Sequence, residues 1–130
     1  VQQKASERDP ADVKLRDDFG YMHFRLATIC SSAGRWSEAV AEFRTAVAVM
    51  DEILVKDAGN PQLVRRGERA QWQVEMGLTL VKIGAHAEAR QTLVAAIAAI
   101  DAAVSQGLPP SAQSQARQRA EEALAKLAAR

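Results

Sequence analysis

The stretch "AGRWSEAVAEFRTAVAVMD", residues 33–51, returns fifty positions later as "IGAHAEARQTLVAAIAAID", residues 83–101. Moving the chain along itself by fifty places aligns seven identical pairs, which are Arg16/Arg66, Gly34/Gly84, Glu38/Glu88, Ala39/Ala89, Ala46/Ala96, Ala48/Ala98 and Asp51/Asp101. Most of these pairs are small or turn-forming residues, which occupy the positions where two packed helices are most constrained. The stretch therefore predicts two copies of one helical hairpin.

Each copy divides into two helices at a glycine. Asp9-Pro10 and Asn60-Pro61 each place a capping side chain before a proline, so each pair predicts a helix start. Apolar residues then recur at helical spacing as far as a glycine, which suits the left-handed conformation that ends many helices. The apolar positions are Phe19, Met22, Leu26, Ile29, Cys30 and Ala33 in the first copy, and Val74, Met76, Gly77, Leu80 and Ile83 in the second.

The pattern beyond the second copy predicts one more helix. Gly107 and Pro109-Pro110 stop the fourth helix, and alanine and leucine then recur at spacings of three and four. This last helix stands where a third copy would begin, so we expect it to cap the stack. The sequence predicts an all-α chain with one domain, residues 1–130, comprising repeat one at 9–56, repeat two at 59–106 and a capping helix at 111–129.

Composition and charge narrow the possible functions. The chain of 130 residues carries 17 Lys and Arg against 16 Asp and Glu, so its net charge of +1 gives no field that would attract nucleic acid. Its longest nearly apolar run, residues 93–104, is well short of the roughly 20 residues that span a bilayer. A single cysteine, Cys30, excludes an internal disulfide. We expect a cytoplasmic protein that binds neither nucleic acid nor a membrane, and the missing initiator Met predicts a piece of a longer chain.

The two copies resemble the tetratricopeptide repeat (TPR) family. That family has a small residue in its first helix, a glycine and an aromatic at the turn, and alanines around a bulky residue in its second helix. The matching residues are Ala27, Gly34, Trp36, Ala39, Phe43 and Ala46 in the first copy, and Gly77, Gly84, Ala89, Leu93 and Ala96 in the second, with His86 at the aromatic position. Two features of the chain differ from the family pattern. The period is about 50 rather than about 34 residues, and Asp51 and Asp101 stand where the family has a closing proline. Such long repeats resemble arrays C-terminal to some bacterial serine/threonine kinases.

The resemblance implies a right-handed α-solenoid whose first helices line a concave face that binds a peptide or protein. Carried onto this chain, the groove positions are Tyr21, Phe24, Arg25, Thr28, Ser31, Gln71, Val74, Glu75, Leu78 and Val81. Phe24 and Thr28 stand where some family members place carboxylate-binding residues, so no carboxylate clamp is expected. A ligand would rest apolar anchors on Phe24, Val74 and Leu78. The alternative is that Phe24 and Leu78 pack against the terminal helix or a missing repeat.

Other conspicuous residues do not predict chemistry. His23 and His86 lie on different helices without further ligands at metal-binding spacing, so we expect no metal or cofactor. Cys30 is interpreted as a core residue. No nucleophile and base, paired catalytic carboxylates or glycine-rich phosphate loop is recognisable, so the chain is not expected to be an enzyme.

Three further features leave alternatives open. The arginines at 65, 66 and 69 are interrupted by Glu68 and favour a solvated face over a phosphate site. Trp36 is expected between the helices of its hairpin, and Trp72 could be a surface anchor.

Two functions are consistent with these features. The first is a protein–protein interaction module, which the resemblance associates with bacterial signalling proteins. The second is a structural spacer or self-association unit, in which Ala116, Ala120 and Ala123 stack on another repeat or a second copy.

Overall fold

The computed structural model describes residues 10–56 and 62–129, which form five α-helices and one 3₁₀ turn and contain no strand. The α-helices are α1 (Pro10–Ser32), α2 (Trp36–Lys56), α3 (Leu63–Lys82), α4 (His86–Ser105) and α5 (Ser114–Ala128), with the 3₁₀ turn at Pro110–Ala112. The predicted all-α class is confirmed. Asn60-Pro61, the predicted start of the third helix, lies outside the described residues; α3 begins at Leu63, after Gln62 in a left-handed conformation with φ 47°.

The turns inside the two hairpins have the same geometry. Gly34 and Gly84 are left-handed, with φ of 75° and 79°. After each glycine, the next backbone N–H reaches back five residues: Arg35 donates to the Cys30 carbonyl at 2.8 Å, and Ala85 donates to the Leu80 carbonyl at 3.0 Å. Both bonds satisfy carbonyl groups that a helix end would otherwise leave unpaired. The sequence repeat is therefore a structural repeat at its turns, and the prediction of left-handed glycines is confirmed.

The helices pack mainly in chain order. α1 packs on α2 and α3 packs on α4, forming the two hairpins, while α2 packs on α3 and joins them. α5 packs on both α4 and α3. Small residues allow the close contacts: Ala39 and Ala89 have no exposed surface, and a Cβ added to Gly77 would lie 2.6 Å from Leu93 Cδ2.

Asp51 and Asp101, which recur at the same position of the two copies, have equivalent roles. Each lies in the later part of a second helix and forms an ion pair with an arginine on the next first-type helix, Asp51 with Arg69 on α3 and Asp101 with Arg117 on α5. Arg117 donates from Nε and Nη2 to the two carboxylate oxygens of Asp101, at 2.9 and 3.1 Å. The repeated aspartate therefore links one hairpin to the helix that follows it.

The apolar faces of α1 and α3 have different surroundings. On α3, the side chains of Trp72 and Met76 are buried between neighbouring helices. On α1, the equivalent residues Met22 and Leu26 are 47% and 41% exposed. The helical spacing predicted for α1 is present, but most of its large apolar side chains do not enter the core.

Candidate peptide-binding groove

Two cavities lie along the first-type helices of the structure. The first, which we call the aromatic cavity, has a volume of about 410 Å³ and is lined by Tyr21, Phe24, Glu68, Gln71, Trp72, Glu75, Gln115, Ala116 and Arg119. The second, which we call the basic cavity, has a volume of about 360 Å³ and is lined by Leu78, Val81, Lys82, Arg119, Glu122, Ala123, Lys126 and Leu127. Arg119 borders both. We refer to the two cavities together as the groove.

An aromatic cluster forms one wall of the aromatic cavity. The Trp72 ring is stacked on Phe24, with 5.1 Å between centroids and 17° between planes, and it meets Tyr21 edge-on at 5.2 Å. Phe24 also packs on Phe43 of α2 at 5.7 Å. Trp72 is only 4% exposed, so the interpretation of Trp72 as a surface anchor is wrong. Ring contacts of this kind stabilise the wall of the cavity.

The structure brings six of the ten sequence-derived groove positions into the groove. Tyr21, Phe24, Gln71 and Glu75 line the aromatic cavity, and Leu78 and Val81 line the basic cavity. Phe24 and Leu78 also pack against the hydrophobic core while partly exposed, so intramolecular packing and cavity lining coexist in these two side chains.

The other four positions lie elsewhere. Val74 has no exposed surface, so its assignment as a ligand anchor is wrong: the helices around α3 enclose it. Arg25 is exposed and lines a neighbouring cavity with Met22. Thr28 Oγ1 donates a hydrogen bond to the Phe24 carbonyl at 2.8 Å. Ser31 is partly buried near the end of α1 and lines neither cavity.

Charges divide the groove into two unlike ends. At the aromatic cavity, Glu75 forms an ion pair with Arg119, and this pair connects α3 to α5 across the groove. Burial, with a smaller contribution from the nearby carboxylate of Asp17, raises the pKa of Glu68. At the basic cavity, three cationic side chains border an apolar floor with only one carboxylate, Glu122.

Sequence reasoning missed the contribution of α5. Arg119, Ala123 and Lys126 lie on one face of this helix, at the i, i+4 and i+7 spacing that brings side chains together. That spacing is visible in the sequence, but the sequence alone predicts only a cap or a self-association surface for this helix and no part in the groove. Trp36, expected inside its own hairpin, is partly buried, and Lys82 Nζ lies 5.6 Å from its ring centroid.

The remaining candidate residues form structural contacts. His23 Nδ1 lies 2.5 Å from Glu42 Oε2 of α2, and Cys30 is partly buried against the core. Arg65 and Arg69 form ion pairs with Asp17 and Asp51, respectively. Residues 10–56 and 62–129 contain no group of three or more His, Cys, Asp or Glu side chains placed to hold a metal ion.

Comparison with known proteins gives no match to a family model, a curated protein or a solved structure. Among the described helices, none combines the length and apolar character needed to cross a membrane.

Proposed function

We propose that the chain is a protein–protein interaction module, a TPR-like right-handed α-solenoid that binds a peptide or protein segment in the groove on its concave face. The observation that carries this proposal is the groove itself, which runs along α1, α3 and α5 and combines apolar lining with charged rims. Identical hairpin turns and packing in chain order support the solenoid arrangement. A cytoplasmic, non-enzymatic role within a bacterial signalling protein is part of the proposal and rests on the resemblance of the long repeats.

The basic cavity defines the chemistry of the proposed ligand. Leu78, Val81 and Leu127 give it an apolar floor, and Lys82 and Lys126 stand at its border. An apolar side chain would bury its surface on this floor, while neighbouring acidic residues would meet the two ammonium groups. We therefore propose a segment in which Leu, Met or Phe is flanked by Asp or Glu.

Arg119 gives the groove a means of distinguishing ligands. Its guanidinium borders both cavities and is already paired with Glu75. A ligand carboxylate that approaches Arg119 from the basic cavity competes with Glu75, whereas a ligand cation approaching from the aromatic cavity can pair with Glu75 or Glu68. A segment acidic at one end and basic at the other would satisfy both ends in one orientation only.

Selection from a random peptide library tests this function. A phage-displayed library of roughly 12-residue peptides would be panned on the immobilised chain, and the affinity of selected peptides measured by calorimetry. The expected result is enrichment of an apolar residue flanked by acidic residues. Ala123→Arg should weaken binding at least about tenfold, because it introduces a long side chain at the wall of the basic cavity.

A matched substitution on the same helix provides the control. Ala125 is exposed and lines neither cavity, so Ala125→Arg adds the same charge to α5 without occupying the groove. Selected peptides should bind this variant as they bind the parent chain. Equal binding to the Ala123→Arg and parent chains, or no enrichment at all, would contradict the proposed function.

The alternative of self-association through the alanines of α5 is not favoured by their surroundings. Ala120 has no exposed surface, and Ala116 and Ala123 are partly buried against the core of the same chain. Their small side chains already allow α5 to pack closely on neighbouring helices of the same chain, which leaves little of them for a second copy.

A further inference from the structure

A stripe of large apolar side chains on α1 is exposed. Successive members are separated by four, three, four and three residues, which places them along one side of the helix in a heptad pattern. We call this set the α1 stripe; its members and their exposed fractions are Leu15 (69%), Phe19 (48%), Met22 (47%), Leu26 (41%) and Ile29 (64%).

The α1 stripe is as large as the largest apolar patch of an ordinary monomer, and such patches are often functional. It extends over about 21 Å at 1.5 Å per residue, and its side chains expose roughly 500 Å² of apolar area, comparable to the largest patch on an ordinary monomer. The described residues nearest to it in sequence do not cover it.

Charges beside the α1 stripe indicate what could cover it. Asp18 and Arg25 lie two turns apart and line one cavity with Met22 and Leu26, so they share an edge of the stripe. No ion pair to Arg25 occurs among the described residues, and Asp18 pairs only with the exposed Lys14. This edge therefore carries one negative and one positive charge that can both face a partner.

The opposite edge of the α1 stripe is turned towards α2. Arg16 contacts Glu52 of α2 at 3.4 Å, and His23 contacts Glu42 of the same helix. A partner therefore approaches from the Asp18 and Arg25 edge.

We infer that the chain forms a two-fold symmetric dimer in which α1 packs antiparallel on α1 of a second copy. In the register that layers Leu15 on Leu26 and Phe19 on Met22 of the second copy, each Asp18 lies beside an Arg25 of the other chain. Two complementary ion pairs then flank an apolar seam of four layers, and Ile29 lies beyond its end, level with Asp12 of the second copy. In a parallel pair, Asp18 would lie at the same level as Asp18 of the other chain, and Arg25 at the same level as Arg25. Only the antiparallel arrangement brings the opposite charges together, so charge complementarity favours it.

The expected dimer is weak, because one pair of helices buries less area than most stable interfaces. Weak, transient complexes occupy the small end of the observed range of interface areas, so we expect a dissociation constant on the order of 10–100 µM. Tyr21 lines both the aromatic cavity and the cavity beside Asp18 and Arg25, whereas Leu26 lines the latter and not the groove. A substitution at Leu26 can therefore separate dimer formation from peptide binding.

Sedimentation equilibrium of the full chain between about 5 and 500 µM tests the inference. The mass should rise from 14.1 kDa towards twice that value. Asp18→Arg and Arg25→Asp should each weaken association about tenfold or more, since each places like charges opposite one another. The double variant Asp18→Arg/Arg25→Asp should restore the parent affinity to within roughly threefold, because the pairs re-form with exchanged signs.

Matched variants separate the α1 stripe from other surfaces. Arg90 is exposed on α4, so Arg90→Asp makes the same charge change as Arg25→Asp and should leave association unchanged. Leu26→Glu should be monomeric while retaining the circular dichroism of the parent. A parent chain that stays at 14.1 kDa throughout, a dimer that survives Leu26→Glu, or a double variant as weak as its single variants would each overturn the antiparallel dimer.

The proposed function can fail or hold independently of this result. Peptides selected on the parent chain should bind the folded, monomeric Leu26→Glu variant with unchanged affinity if the groove is the binding site. If that variant no longer bound the peptides, the α1 stripe would take part in ligand recognition. Dimer formation would then not be the only role of the stripe.

Discussion

The two hairpins share a repeat but differ in what covers them. Met22 on α1 is 47% exposed, whereas Trp72, its counterpart fifty residues on, is 4% exposed. The reason is position in the order of packing, because α3 lies against α2, α4 and α5, while α1 packs mainly against α2. The comparison teaches that helical periodicity marks a face suitable for burial, and that a neighbouring helix decides whether the face is buried.

Inside each hairpin the two copies agree closely. Ala39 and Ala89, the small residues of the second helices, are both without exposed surface, as are Ala46 and Ala96. Contacts within a hairpin are therefore the same in both copies. Contacts between a hairpin and its neighbours differ, because the two hairpins have different neighbours in the chain. Substitutions at equivalent positions can separate these two kinds of contact.

The largest difference is expected between Trp72→Ala and Met22→Ala. Trp72→Ala removes a buried ring that packs on Phe24 and Tyr21 and belongs to the same core cluster as Met50, and it should lower the free energy of unfolding by about 3–5 kcal/mol. Met22→Ala removes a half-exposed side chain and should cost less than about 1 kcal/mol. Urea unfolding of both variants at low micromolar concentration, where the α1 stripe is unpartnered, measures the two costs.

Comparable costs for these two substitutions would contradict the difference in burial. A second measurement sharpens the result, since the cost of Met22→Ala should rise with protein concentration if α1 pairs with a second copy. The cost of Trp72→Ala should not depend on concentration in this way.

A smaller and equal effect is expected at the alanines inside the hairpins. Ala39→Leu and Ala89→Leu each add three carbon atoms at a position with no exposed surface. Overpacking of this kind should cost about 1–3 kcal/mol in either hairpin. Thermal melts of the two variants measure the loss, and Ala98→Leu, at an exposed position on α4, is the matched control. Melts that coincide with the parent would show that the hairpin register is wrong.

Several features of the fold could be predicted from the sequence because they are local. The left-handed Gly34 and Gly84 and the fully buried Ala39 and Ala89 follow from turn chemistry and helical spacing, and the structure contains them. These features need no knowledge of the other hairpin.

The groove could be predicted only in part, because it depends on contacts between distant helices. Phe24 and Val74 are equivalent in the repeat, which predicts the same role for both, yet Phe24 borders the aromatic cavity and Val74 is enclosed. The contribution of Arg119 could not be derived from the repeat, since it arises where α5 meets α3. A repeat in the sequence predicts the contacts that both copies make. The groove depends partly on contacts that only one copy makes, such as those between α3 and α5.

The smallest effect is expected for the aspartate that joins the second hairpin to α5. Hydrogen bonding from Arg117 lowers the pKa of Asp101 below its ordinary value. A carboxyl with a lowered folded-state pKa contributes stability above its unfolded-state pKa of about 3.9, and this contribution is lost as the pH falls through the folded-state value. Asp101→Asn should therefore lower the urea midpoint slightly at pH 7, and the difference from the parent should shrink at pH 3.

Glu121→Gln distinguishes the link between helices from the charge of Arg117 alone. Glu121 also pairs with Arg117, at 2.7 Å, but from within α5. Its loss leaves the contact between α4 and α5 intact, so it should change the midpoint less than Asp101→Asn at pH 7. If the two variants are equally destabilised, the bond from Arg117 to Asp101 adds nothing beyond partial neutralisation of the guanidinium, and the repeated aspartate is not a link between hairpins. A larger, pH-dependent loss in Asp101→Asn would establish that link and explain why the residue recurs at the same position in both copies.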